Sequence, residues 1–334
     1  MTGRDGPQPP APQQNLTIQQ ALDLAIGHHN AGRLSDAEFI YQRILAAESD
    51  QPVALHFLGV LRHQMGDNVR AEELIGRALS VAPDYAEAHS NLGLVYQALG
   101  KADAAVRSYR KALAIHPDAA DVHNNLGNAL KDLGRLDDAV ASYGKALAIN
   151  PDFPEAHVNL GIVLQQLGRP DEAIASHRRA LAIDPEFPDA LVNLAGAYQE
   201  LERYEDAVSG YESALAIDPD LPDAHCNLGN TLKALGRLDE AVASYEAALA
   251  IRPDFTEVFH NLGNTFAELG RLDDAIAAYN KALDIDPDLT EAEKNLGIAL
   301  MDAGRHREGL EIARKQVGVI EFRYDDGRHF SIRT

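Results

Sequence analysis

The chain has 334 residues and a formal charge of −21 with a pI near 4.9, so it offers no basic stripe to neutralise phosphates; nucleic acid and anionic membrane surfaces are disfavoured as partners. Its single cysteine, Cys226, excludes an internal disulfide and fits a reducing compartment. No run approaches the ~18 apolar residues of a membrane span, and the first fifteen residues lack an apolar signal-peptide region, so a cytoplasmic protein is expected.

Residues 1–15 are rich in Pro and Gln and predict a disordered tail. Beyond them a proline recurs at Pro83, Pro117, Pro151, Pro185, Pro219, Pro253 and Pro287, a fixed step of 34 residues. The step divides 18–316 into units beginning near 18, 52, 86, 120, 154, 188, 222, 256 and 290. In the unit after Pro117, Val122, Leu126, Ala129, Leu130 and Leu133 recur at helical spacing and predict one helix. Leu136, Ala139, Val140, Tyr143, Ala146, Leu147 and Ile149 predict a second. Gly134 stops the first helix and Asp137 is expected to cap the second. A paired hairpin still exposes an apolar face that only the next copy can cover, so the units stack into a solenoid.

Aligned units give columns. Leu92, Leu126, Leu160, Leu194, Leu228, Leu262 and Leu296 are followed by a small residue, Gly93, Gly127, Gly161, Ala195, Gly229, Gly263 and Gly297, which lets two helices approach closely. Tyr109, Tyr143, Tyr211, Tyr245 and Tyr279 form a column of large wedges. At the junctions Asp84, Asp118, Asp152, Asp220, Asp254 and Asp288 each precede an acid by three residues, which predicts capping boxes. Past Gln316 the period changes: Val319–Tyr324 and His329–Ile332 alternate like two strands around an Asp-Gly turn. The 317–334 segment is therefore expected to be a hairpin-like cap on the last helix, or else an edge that recruits a partner strand.

No phosphate loop, HExxH, GxSxG or cysteine pair is present, so neither catalysis nor a cofactor is expected. His89, His123, His157 and His225 lie one or two units apart, too far to share a metal, and are expected to pack.

The leucine, glycine, alanine and tyrosine columns with their closing prolines resemble the tetratricopeptide repeat family, most strongly from 86 to 289. Histidine replaces the usual fourth-position tryptophan, and Glu202 replaces the inter-helix glycine. The resemblance implies an all-α, right-handed superhelix of about nine helix-turn-helix repeats with a short C-terminal β-hairpin. It also implies that first helices line a concave groove. Asn91, Asn125, Asn159, Asn193, Asn227, Asn261 and Asn295 hold the sixth position of first helices, with Asn128, Asn230 and Asn264 one turn on. A ladder of amides can pair with the backbone of an extended ligand whatever its side chains, or it can satisfy local backbone groups.

The lysine–asparagine clamp known in the family is poorly matched, because its lysine is replaced by Ser90, Asn124, Val158, Val192, Cys226 and His260. The repeated asparagines make the chain most similar to the repeat region of O-linked N-acetylglucosamine transferases, without their catalytic domain. The expected function is a non-catalytic scaffold for a neutral to basic protein or peptide segment, since Glu87, Asp121, Glu155, Asp189, Asp223, Glu257 and Glu291 flank the amides. A substrate-recruiting subunit of a sugar transferase and a self-assembling homo-oligomer are the alternatives.

Overall fold

The computed structural model describes residues 16–317, 323–325 and 329–331. The expected tail at 1–15, the start of the first expected strand at 319–322, the Asp-Gly turn at Asp326–Arg328 and Ile332 lie outside the described residues. Among the described residues the fold is an all-α solenoid, eighteen helices paired as about nine hairpins. Its contacts divide at Pro151 into two units.

The first unit contains α1 (Ile18–Asn30), α2 (Leu34–Ala47), α3 (Pro52–Gln64), α4 (Asn68–Val81), α5 (Ala86–Ala98), α6 (Ala102–Ile115), α7 (Ala120–Asp132) and α8 (Leu136–Ile149). The second contains α9 (Pro154–Gln166), α10 (Pro170–Ile183), α11 (Pro188–Glu200), α12 (Tyr204–Ile217), α13 (Pro222–Ala234), α14 (Leu238–Ile251), α15 (Thr256–Glu268), α16 (Leu272–Ile285), α17 (Thr290–Asp302) and α18 (His306–Val317). Odd-numbered helices are the first helices of their hairpins. The second unit also holds β1 (Arg323–Asp325) and β2 (His329–Ser331), antiparallel with Tyr324 opposite Phe330.

Each wedge fills the space its facing glycine leaves. Tyr109, Tyr143 and Tyr245 are fully buried, and a methyl on Gly229 would come within 2.5 Å of the Tyr245 ring. Gly93, Gly127 and Gly263 meet Tyr109, Tyr143 and Tyr279 in the same way, and Gly161 meets His177. The exception carries its own compensation. Where the column has Ala195, the facing residue is Gly210, on which a Cβ would sit 2.9 Å from that of Ala195. In α6, α8, α10, α14 and α16 that position holds Ser108, Ser142, Ser176, Ser244 and Ala278.

The predicted capping boxes do not form. The N-cap residues of α5, α7, α9, α13, α15 and α17 are Tyr85, Ala119, Phe153, Leu221, Phe255 and Leu289, none with a side-chain cap. Tyr85, Phe255 and Leu289 instead pack against core clusters. Burying a large apolar side chain gains about 1.5–3 kcal/mol against ~1 kcal/mol for a polar cap, so the apolar residue takes the position. Asp137 does not cap α8 either. The N-cap is Arg135, whose Nε donates to Asp138 at 2.9 Å. Arg169–Glu172, Arg203–Asp206, Arg237–Glu240, Arg271–Asp274 and Arg305–Glu308 repeat this pair. The one capping box among the described residues is Thr17 with Gln20, at α1.

The fourth-position histidines pack, as expected. His89, His123 and His225 donate from Nε2 to the carbonyls of Pro83, Pro117 and Pro219 at 2.9, 2.9 and 3.1 Å, fixing each first helix to the loop before it. The turns inside the hairpins use glycine at positive φ, such as Gly134 at 70°, but Glu202 adopts 55°. A side chain in this region costs roughly 1–2 kcal/mol, partly offset by the extra chain entropy of glycine. Glu202→Gly is expected to stabilise by about 0.5–1 kcal/mol, seen as a higher denaturant midpoint at unchanged m-value.

Candidate ligand groove on the first helices

Within each unit the first helices of successive hairpins touch, α3 with α5, α5 with α7, α11 with α13, α13 with α15 and α15 with α17. Among the described residues no second helix touches another. First helices thus lie on the inner side of each stack, and all ten candidate asparagines are half-buried there.

Their hydrogen bonds divide them by task. Each wedge hydroxyl needs an acceptor, because burial otherwise leaves it unsatisfied. Tyr143, Tyr245 and Tyr279 donate to ninth-position Asn128, Asn230 and Asn264, each at 2.7 Å. Tyr109 and Tyr211 donate instead to twelfth-position Gln97 and Gln199 at 2.6 and 3.2 Å. His177, which replaces the tyrosine of its hairpin, lies 3.2 Å from Gln165. In each of the six hairpins from α5 to α16 one acceptor or the other is supplied, whereas the buried Tyr41 hydroxyl of the first hairpin has none among the described residues. Leu94, Ile162 and Gly196 stand at the ninth position where the twelfth is Gln, and Lys131, Lys233 and Ala267 stand at the twelfth where the ninth is Asn.

Sixth-position amides form rungs between neighbouring first helices. Asn261 Nδ2 donates to Asn230 Oδ1 at 3.0 Å, and Asn295 Nδ2 donates to Asn264 Oδ1 at 2.9 Å. Asn295 Nδ2 also lies 3.1 Å from Nε2 of His260. In the first unit Asn91 Nδ2 donates to His56 Nε2 at 2.8 Å. The His56 proton therefore sits on Nδ1, which donates to the Tyr85 hydroxyl at 2.8 Å. Burial, with a smaller contribution from His29, lowers the His56 pKa to about 4, so the rung holds a neutral imidazole.

Asn193 turns back to the Asp189 carbonyl at 2.7 Å, and Asn159 is half-buried on α9. The side-chain amides of Asn125 and Asn227 make no hydrogen bond among the described residues. The sequence reading missed His56, His260, Tyr85 and the twelfth-position glutamines as partners. The exchange of acceptor between the ninth and twelfth positions was the available signal.

Between α3, α5 and α7 the groove of the first unit deepens into a cavity of about 330 Å³ lined by His56, Phe57, Ser90, Asn91 and Val122, with Glu87 and Asp121 at its edge. Both acids are exposed and neither joins an ion pair among the described residues. The corresponding Asp223 in the second unit is bridged by Arg252 at 2.8 Å. Among the described residues no three His, Cys, Asp or Glu side chains converge as a metal ion would require. Burial pushes the Cys226 thiol up to about 12, so it stays protonated at neutral pH. No helix among the described residues is long and apolar enough to cross a membrane.

The family profile of the cilia and flagella-associated protein 70 C-terminal domain matches residues 17–255, and a tetratricopeptide repeat profile matches 226–290. Among solved structures, a chain of the APC/C hetero-tetramer Cut9–Hcn1 is similar with TM-score 0.60 at 18% identity, over 80% of this chain. The match covers 52% of that chain. The pilF protein of Pseudomonas aeruginosa gives TM-score 0.56 at 23% identity, over 65% of this chain and 97% of that one. YrrB gives TM-score 0.48 at 27% identity, over 56% of this chain and 96% of that one. No curated protein matches the chain.

Proposed function

The chain belongs to the tetratricopeptide-repeat family defined by the C-terminal domain of cilia and flagella-associated protein 70, and from that premise we propose that it is a non-catalytic scaffold holding an extended protein segment against its first helices. The observation that carries this reading is the cavity between α3, α5 and α7, where two unpaired carboxylates, Glu87 and Asp121, border apolar walls and the Asn91 amide. Such a lining suits a neutral to basic segment, with a basic side chain between the acids and an apolar one against Phe57 and Val122. Because Asn91, Asn261 and Asn295 are committed to rungs, Asn125 and Asn227 are the amides with both hydrogen-bonding ends open to a ligand backbone. A cytoplasmic setting is part of the proposal and follows from the reading of the single cysteine.

A phage-displayed library of random peptides provides the test. Selected binders should be neutral to basic. Asn125→Ala with Asn227→Ala should weaken them about tenfold, as should Glu87→Lys with Asp121→Lys, while far-ultraviolet helicity is unchanged. Acidic binders, or binders indifferent to both variants, would sink the proposal. A second reading, recruitment of substrates to a sugar transferase, rests on the asparagine column. Turnover of a labelled nucleotide sugar only when a transferase is added to the purified chain would favour it.

A further inference from the structure

On the outer side of the first unit two cavities repeat with the period of the hairpins. One, of about 660 Å³, lies between α4 and α6, and the other, of about 650 Å³, between α6 and α8. Their linings correspond residue by residue: His89, Leu92 and Ile115 in one are His123, Leu126 and Ile149 in the other. Each has an apolar floor and an open mouth.

The mouths are basic. Arg107 and Lys111 border the first cavity, and Arg110 and Lys145 border the second. All four are exposed, and none forms an ion pair among the described residues. By contrast, the arginines that precede α8, α10, α12, α14, α16 and α18 are each bridged to an acid. Of the acids in the linings, Asp138 is held by Arg135, while Asp84 and Asp118 follow the closing prolines, one in each cavity against two cations. The Lys111 position is basic in most repeats, as Arg77, Lys145, Arg179 and Lys281, whereas the Arg107 position holds Ala141, Ala175, Ser209, Ala243 and Ala277, so three cations gather on one second helix at α6.

Four like charges on and beside one helix repel each other unless something of opposite sign covers them. We propose that this outer face docks an acidic segment of a partner protein, its carboxylates meeting the cations across α6 and two of its apolar side chains entering the paired cavities. A short segment fits better than a polyanion. The −21 charge repels an extended anionic polymer or surface over a Debye length of ~10 Å, whereas a few carboxylates anchored by apolar burial meet chiefly the local field.

The probe is a fluorescent sixteen-residue peptide of alternating Glu-Glu and Leu-Ala pairs, titrated by anisotropy against the full chain at low salt. Arg107→Glu with Lys111→Glu, and separately Arg110→Glu with Lys145→Glu, should each weaken it at least tenfold. Ile149→Ser should weaken it about threefold, and a Leu-to-Ser peptide should bind the native chain at least tenfold more weakly. Asn125→Ala with Asn227→Ala should change nothing, which separates this face from the groove of the first helices. Absence of binding, binding unaffected by charge reversal, or preference for duplex DNA or phosphatidylserine vesicles over the peptide would each overturn the proposal. The charge-reversal and Ile149 variants are at exposed positions, and circular dichroism confirms the fold of every variant.

Discussion

Gly229→Ala is expected to destabilise the second unit by about 2–3 kcal/mol, far more than one methyl suggests. The added carbon would meet the Tyr245 ring at 2.5 Å, and that ring is fully buried, with its hydroxyl tied to Asn230 at 2.7 Å. It has nowhere to swing. Tyr245→Ala alone should cost about 3–5 kcal/mol, but in that background Gly229→Ala should be close to neutral. Part of the loss should also return with Ser244→Gly, because this recreates the native pairing of Ala195 with Gly210. Denaturant midpoints of the four variants close the cycle. Additive losses would mean that the glycine is kept for a reason other than the wedge.

Acid should weaken the fold before the carboxylates titrate. Burial lowers the pKa values of His56 and His177 to about 4, whereas the unfolded chain titrates near 6.5. Above pH ~6.5 neither state is protonated and the full stability is present. As pH falls from there toward 4, only the unfolded chain takes up the proton, and each histidine should remove about 2 kcal/mol by pH 5. His56 acts on the first unit and His177 on the second. His177→Tyr restores the residue found in the other wedges, and its hydroxyl can donate to Gln165 as Tyr109 does to Gln97. This variant should be more stable than the native chain at pH 5 by about 2 kcal/mol or more relative to pH 8, by thermal or denaturant unfolding. An unchanged pH profile would show that His177 is reached by water in the native state.

The sequence carried the period, the paired helices and the small and large columns because these depend on apolar volume, which recurs at fixed spacing and has few ways to be buried. Hydrogen-bond partners were less legible. Asp84 and Asp118 have the right chemistry for caps, but Tyr85 took the capping position of α5 for its ring, and Ala119 that of α7. The asparagine column was visible as a column, yet its uses were not. Asn128 serves a buried hydroxyl, Asn261 a neighbouring helix and Asn193 its own, according to which residues lie 3 Å away across the stack. The outer basic cluster was hidden by the acidic total. Net charge averages over a surface that Arg107, Arg110, Lys111 and Lys145 break locally.

The either-or supply of an acceptor to the wedges of α6 to α16 has a bearing on how recognition can change over evolutionary time. A hairpin that uses its ninth residue for this purpose keeps an amide on the lining, while one that uses its twelfth is free to present leucine, isoleucine or glycine there. Altering what the lining offers at that point therefore takes two coordinated exchanges, with an orphaned phenol as the intermediate. New ligand preferences should arise more readily by duplicating or deleting whole repeats than by stepwise replacement within one.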